Sequence, residues 1–180
     1  MAACFEPQSA GGWVFGYGSL MWNPGFVFQE RHKATLDGYH RAFCVYSHHY
    51  RGNAERPGLV LGLAEGGSCR GVAFRVAADD WAEVVAYLDE RELIGYAYRP
   101  ARLNVRLDDG TEVEVHAYVA DRGHPHFAGR LDDDTAAALI GQAVGVSGSN
   151  RDYAAKLVRE LESHGFHDDH LALLLARIGA

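Results

Sequence analysis

Glu92 falls on the apolar face of its own helix. The segment from Asp80 to Leu93 carries Trp81, Val84, Val85 and Leu88 at helical spacing. One more step of that 3.6-residue period lands on Glu92. Glu83 and Glu90 project to the other side, as solvated acids do. A carboxylate set among apolar side chains is held away from water, which disfavours its charged form and raises its pKa. A carboxyl tuned in this way can take a proton and give it back near neutral pH. The competing use is a structural ion pair with Arg91 or Arg99, which would pull the pKa down instead.

A second constellation is Gly16-Tyr17-Gly18-Ser19-Leu20, which follows directly on the apolar run Trp13-Val14-Phe15. Paired glycines let the backbone turn tightly and turn its N–H groups outward, where they can hold a carboxylate or an oxyanion. The alternative is a plain strand-to-loop turn. No Gly-Lys-Ser/Thr follows, so it is not a phosphate-binding Walker loop, and no helix pattern opens after it, so it is not a dinucleotide fingerprint. Ser147-Gly-Ser-Asn-Arg-Asp-Tyr153 opens a helix, with Ser149 placed to cap it. Its functional use would set Asn150 or Tyr153 at a pocket rim. Arg56 and Arg70 stand beside strands, where either could hold a substrate carboxylate through two parallel hydrogen bonds. Ten histidines are present, but no HExxH and no cysteine-pair spacing, so no metal site is expected.

These residues need elements to hold them. Trp13–Tyr17, Arg41–Ser47, Leu59–Ala64 and Arg70–Val76 read as strands, the last after a Gly66-Gly67-Ser68 turn. Asp80 three residues before Glu83 resembles a capping box at the start of the Glu92 helix. Leu103–Leu107 and Val113–Ala120 alternate apolar and polar around Asp108-Asp109-Gly110, a hairpin signal. Helices follow over Thr135–Val144, Asn150–His164 and Asp168–Ile178, the second stopped by Gly165. Short strands, one central helix and a helical tail imply an α+β fold around a small, strongly curved or barrel-like sheet.

The chain has 180 residues, is 48% hydrophobic and 23% charged, and has a net charge of −7. That suits one folded domain over 12–180 behind a flexible stretch at 1–11. The acidic balance and the lack of a Lys/Arg run argue against a nucleic-acid partner. No stretch approaches the ~20 apolar residues of a membrane span, so no membrane partner is expected. Cys4, Cys44 and Cys69 have no framework spacing and no signal peptide precedes them, which points to free thiols in the cytoplasm.

Taken together, the chain resembles the ChaC-type γ-glutamylcyclotransferases. The resemblance is carried by Trp13-Val-Phe-Gly-Tyr-Gly-Ser-Leu20 with Trp22-Asn-Pro-Gly25, by Glu55-Arg-Pro-Gly-Leu-Val-Leu-Gly62 and by Gly67-Ser-Cys-Arg-Gly-Val-Ala-Phe-Arg75. It continues through Tyr87-Leu-Asp-Glu-Arg-Glu92, His124-Pro125, Ala128-Gly-Arg-Leu131 and Ser147-Gly-Ser-Asn150. It implies a small β-barrel with flanking helices and a helical tail. It implies cleavage of glutathione to 5-oxoproline and cysteinylglycine without a cofactor, with Glu92 as general base and acid. The substrate loop then falls on Val14, Phe15, Gly16, Tyr17, Gly18, Ser19 and Leu20, and Tyr98, six residues past the glutamate, lines the pocket. The sequence departs from the family pattern at Met21 (usually Ile), Tyr50 (usually His) and Ser149 (often Pro). Rival readings are a γ-glutamyl-amino-acid or γ-glutamylamine cyclotransferase of broader specificity, and a non-catalytic regulatory binding protein. Burying a carboxylate without a partner gives a pure binder no benefit.

Overall fold

Apolar residues at alternate positions drive the longest strands of this chain into a closed barrel. The computed structural model describes residues 11–93, 95 and 97–179; the N-terminal stretch expected to be flexible lies outside them except for Gly11, and so does Cys4. The barrel strands are β1 (Gly12–Gly16), β2 (Glu30–Ser47), β3 (Gly58–Val76), β4 (Tyr98–Leu107) and β5 (Glu112–Ala120), joined in the order β1-β3-β2-β4-β5. β1 closes it, pairing antiparallel with β3 through Gly16↔Val72 and parallel with β5 through Trp13↔Val115. The β4–β5 pair forms around 108–110 as the hairpin signal implied, running from Arg106↔Glu112 back to Tyr98↔Ala120.

Three strand readings change. β2 begins at Glu30 rather than at Arg41, β3 is continuous from Gly58 to Val76, and β4 begins at Tyr98 rather than at Leu103. The Gly66-Gly67-Ser68 segment is therefore not a turn between strands. Pairing steps from Asp37↔Ser68 to Tyr39↔Glu65. Gly38, Gly66 and Gly67 take positive φ values of 87°, 98° and 69° there. Left-handed glycines absorb the extra residue of a bulge, so the ladder bends without breaking.

The Glu92 helix, α1 (Ala78–Leu93), packs Val84 and Leu88 against Val14, Leu20, Val76 and Tyr118. It begins two residues earlier than expected, so Asp80 lies inside the first turn with Asp79 and favours the positive helix end instead of forming a capping box. The tail folds as α2 (Asp133–Gln142), α3 (Asn150–Ser163) and α4 (Asp169–Ile178), with a short hairpin of β6 (Val144–Gly145) and β7 (Gly148–Ser149) before α3. Asp132, Ser149 and Asp168 cap the three tail helices by accepting from the N–H of Thr135, Asp152 and Leu171. Ile140, Leu157, Leu161, Phe166, Leu171 and Leu174 bury this tail against the barrel. None of the helices among the described residues is long and apolar enough to cross a membrane.

Asn150 fastens the tail to the sheet. It is fully buried, its Oδ1 accepts from the Leu59 N–H at 2.7 Å and its Nδ2 donates to the Leu59 carbonyl at 2.7 Å. Replacing it with Leu keeps the volume but leaves both Leu59 backbone groups without partners. Such orphans cost about 1–3 kcal/mol each, so Asn150→Leu is expected to lower stability by about 2–6 kcal/mol. Urea unfolding midpoints check this; an unchanged midpoint would show that the clamp adds nothing.

Candidate active site

The last turn of α1 and the turn after β1 face each other, and Arg91 ties them together. Its Nη1 donates to the carbonyls of Asn23 at 2.9 Å and Pro24 at 3.2 Å and to the Tyr87 hydroxyl at 3.1 Å. Its Nη2 donates to Ser19 Oγ at 3.0 Å. Its Nε lies 3.4 Å from Glu92 Oε1. The ion pair that could have neutralised the Glu92 argument is therefore present. It does not prevail: burial lifts the Glu92 carboxyl above the usual range more than Arg91 pulls it down. The physical reason is that Arg91 spreads its other donors over the loop and meets Glu92 only through Nε, while the carboxylate side chain is only 20% exposed.

The turn itself is held from below. Ser19–Met21 make one turn of 3₁₀ helix, in which the Met21 N–H donates to the Gly18 carbonyl at 3.0 Å and the Asn23 N–H to the Ser19 carbonyl at 2.8 Å. Arg41, buried at 4% exposure, donates through Nε to the Tyr17 carbonyl at 2.6 Å and through Nη2 to the Arg70 carbonyl. Its Nη1 lies 3.9 Å from the Asp168 carboxylate at the start of α4. Fixing the Tyr17 carbonyl fixes the Tyr17–Gly18 peptide plane, and the start of a helical turn leaves N–H groups available to an anion. Gly71 permits this closeness, since a Cβ there would collide with the Gly16 carbonyl and the Phe15 ring.

Between these elements lies a cleft of about 490 Å³. It gathers Glu92, Phe15, Tyr17, Gly18, Ser19 and Leu20 with Tyr98 and Tyr153. Tyr98 donates its hydroxyl proton to the Leu61 carbonyl, and the Tyr153 hydroxyl accepts from the Leu61 N–H at 3.4 Å. Burial above all keeps the hydroxyls of Tyr17, Tyr98, Tyr118 and Tyr153 neutral, and the nearby charge of Glu92 adds to it in each case. They stay as hydrogen-bond donors and acceptors rather than phenolates.

Other expected positions lie elsewhere. Val14 is fully buried under α1, and Gly16 is buried at the end of β1 without lining the cleft. Asn150 is the sheet clamp described above and not a rim residue. Arg70 points outward with its guanidinium 5.6 Å from the Phe166 ring, because Cys69 takes the inward position of the alternating strand. Conversely, Tyr50, Arg51, Leu61, Arg91, Tyr118 and Ser147 line the cleft without having been singled out for it. His126 meets the His48 ring at a tilt and the His124 ring edge-on, with centroids 4.6 and 5.0 Å apart, and among the described residues no group of three or more His, Cys, Asp or Glu could hold a metal ion.

A family model described as ChaC-like protein matches residues 12–180. The glutathione-specific γ-glutamylcyclotransferase of Escherichia coli K12 is 39% identical over 98% of this chain and 76% of its own length. The chain belongs to the ChaC family. The glutathione-specific γ-glutamylcyclotransferase 1 of Homo sapiens is 30% identical over 97% of this chain and 80% of its own length. The fold agrees as well: the crystal structure of a yeast γ-glutamyl cyclotransferase specific to glutathione matches with a TM-score of 0.83, covering 94% of this chain and 96% of the other at 23% identity. The α+β barrel with a helical tail is thus the fold of this family, as the resemblance implied.

Proposed function

We propose that this ChaC-family chain cleaves glutathione to 5-oxoproline and cysteinylglycine, with Glu92 moving the protons. The observation that carries this reading is a carboxyl whose pKa is raised by burial, set in one cleft with the Gly18–Leu20 turn. The curated relatives named for glutathione supply the substrate class.

The chemistry needs no water and no second substrate. The α-amine of the γ-glutamyl group attacks its own γ-carbonyl, a C–N bond forms to close a five-membered lactam, and the bond from that carbonyl to the cysteine nitrogen breaks. Intramolecular attack is efficient only when the chain is folded back, and the walls of the cleft set that bend. The amine is mostly ammonium at neutral pH, with a reference pKa of roughly 8, so it must lose a proton before it attacks. Glu92 takes that proton and delivers it to the departing cysteinylglycine nitrogen; the attacking nitrogen sheds a second proton as the lactam forms, and the released amine takes it up to leave as an ammonium. A carboxyl above the ordinary range does both steps better than one at about 4.3, since a strong acid makes a poor base. The N–H groups of the turn at Gly18 face the developing oxyanion or the α-carboxylate. We place the reaction in the cytoplasm, in keeping with the free, buried Cys44 and Cys69; recovery of the chain in a periplasmic or secreted fraction would refute that.

Incubation of the purified chain with reduced glutathione is expected to release 5-oxoproline and cysteinylglycine in equal amounts, followed by chromatography. Release of glutamate in place of 5-oxoproline would mean hydrolysis and would overturn the mechanism.

A further inference from the structure

The cleft is lined by two cations, Arg51 and Arg91, and their donors are in different states. Those of Arg91 are committed to Asn23, Pro24, Tyr87, Ser19 and Glu92. Arg51 donates through Nη1 to the Ser147 carbonyl at 2.5 Å, and among the described residues no carboxylate pairs with it. A guanidinium carries several N–H donors in a planar fork that suits a carboxylate, so most of that fork remains unspent.

The side chain is also held ready. The Arg51 N–H donates to Ser47 Oγ at 3.0 Å. The guanidinium lies over the Tyr153 ring at 5.1 Å. The β6–β7 hairpin that carries Ser147 is stitched to the same loop by Val146 N–H to the His49 carbonyl and Ser147 N–H to the Tyr50 carbonyl, each at 3.0 Å. The loop packs closely on the start of β3: a Cβ at Gly58 would collide with the Arg51 carbonyl. A stacked, backbone-anchored arginine loses little side-chain freedom when it binds. Tyr153 lines the cleft together with Arg51 and Glu92, and the two charges act on its hydroxyl in opposite directions.

We propose that Arg51 holds a second substrate carboxylate, the one at the far end of the leaving peptide, and thereby selects γ-glutamyl peptides over γ-glutamyl amines. The inference rests on the cyclotransferase reading above and deepens it. The reacting end sits at Glu92 and the Gly18 turn, where four of the five Arg91 N–H donors are already taken up. The terminal carboxylate of a tripeptide then meets the cation beyond Tyr153. A γ-glutamyl amine has no such group and leaves the fork empty.

The test compares glutathione with its glycine carboxamide, which differs only in that charge. The wild-type chain is expected to prefer glutathione in kcat/KM by roughly 10- to 100-fold, the range for a hydrogen bond to a charged group. In Arg51→Gln that preference should collapse towards one, and Arg51→Lys should keep part of it, with thermal unfolding showing that both variants fold. A preference ratio that is the same in wild type and Arg51→Gln overturns the inference, whether both substrates suffer equally or neither does. If the wild-type chain makes 5-oxoproline from neither compound, the cyclotransferase reading fails separately. The ratio of calorimetric Kd values for the same two compounds then decides Arg51: equal ratios in wild type and variant overturn it, and a ratio lost on substitution supports it.

Discussion

Glu92→Gln is expected to abolish 5-oxoproline release from glutathione while the protein remains folded. The amide keeps the shape of the side chain and its place beside Arg91, but it can neither accept the ammonium proton nor return one to the leaving amine. General acid–base groups contribute typically about 10²- to 10⁴-fold, and here one group serves both transfers, so the upper part of that range applies. Stability should hold or improve. Burial raises the folded carboxyl above its unfolded value. Its contribution to stability is therefore fully present below the unfolded pKa and is lost as pH rises through the folded one. At neutral pH a neutral amide removes that loss. Chromatographic detection of product, with thermal unfolding in parallel, checks both halves. Turnover within a few-fold of wild type would sink the assignment of Glu92.

How much of this was visible beforehand depends on the range of the interaction. The position of Glu92 on a buried stripe follows from helical periodicity, a local property, and the structure places Val84 and Leu88 under it as that period requires. The turn at Gly16–Leu20 was legible for the same reason. Which way Arg91 would point was not: its partners are Ser19, Asn23 and Pro24 on a different element. The first half of β2 is not legible in the sequence because Glu30–His40 buries only Ala34 and Leu36, too few apolar residues to mark a strand. Gly66-Gly67 read as a turn because left-handed glycines serve turns and bulges alike, and only the register with β2 separates them.

Arg70 and Asn150 failed for opposite reasons. Arg70 belongs to an alternating strand whose inward position is Cys69, so period two already pointed it away from the interior. Asn150 sits one helical turn before Tyr153, and the two dock on successive inward-facing groups of β3, Leu59 and Leu61. The first contact is a buried clamp and the second opens on the cleft. That division depends on how α3 lies on the sheet. Arg51 was the hardest to see. It enters the cleft against Ser147, 96 residues away, through a two-residue hairpin with no apolar pattern of its own.

Arg91→Met is expected to weaken catalysis in two distinguishable ways. Arg91 joins the end of α1 to the substrate turn through Ser19, Asn23 and Pro24, so its loss frees that turn and misplaces the reacting ends. Removing one partner of such a charged, partly buried network costs about 2–5 kcal/mol, which places the fall in kcat/KM between about 30-fold and several thousand-fold. Arg91 also lowers the Glu92 pKa against the larger effect of burial. Without that cation the carboxyl holds its proton to higher pH, so the acid limb of the kcat/KM profile moves upward. Arg91→Lys keeps a positive charge but not the fork. It should leave the limb near its wild-type position and still raise KM. A pH–rate profile for the three proteins separates the roles. An acid limb that stays put or moves down in Arg91→Met would mean that Glu92 is not the group titrating there. A KM unchanged in both variants would mean that the turn is held without Arg91.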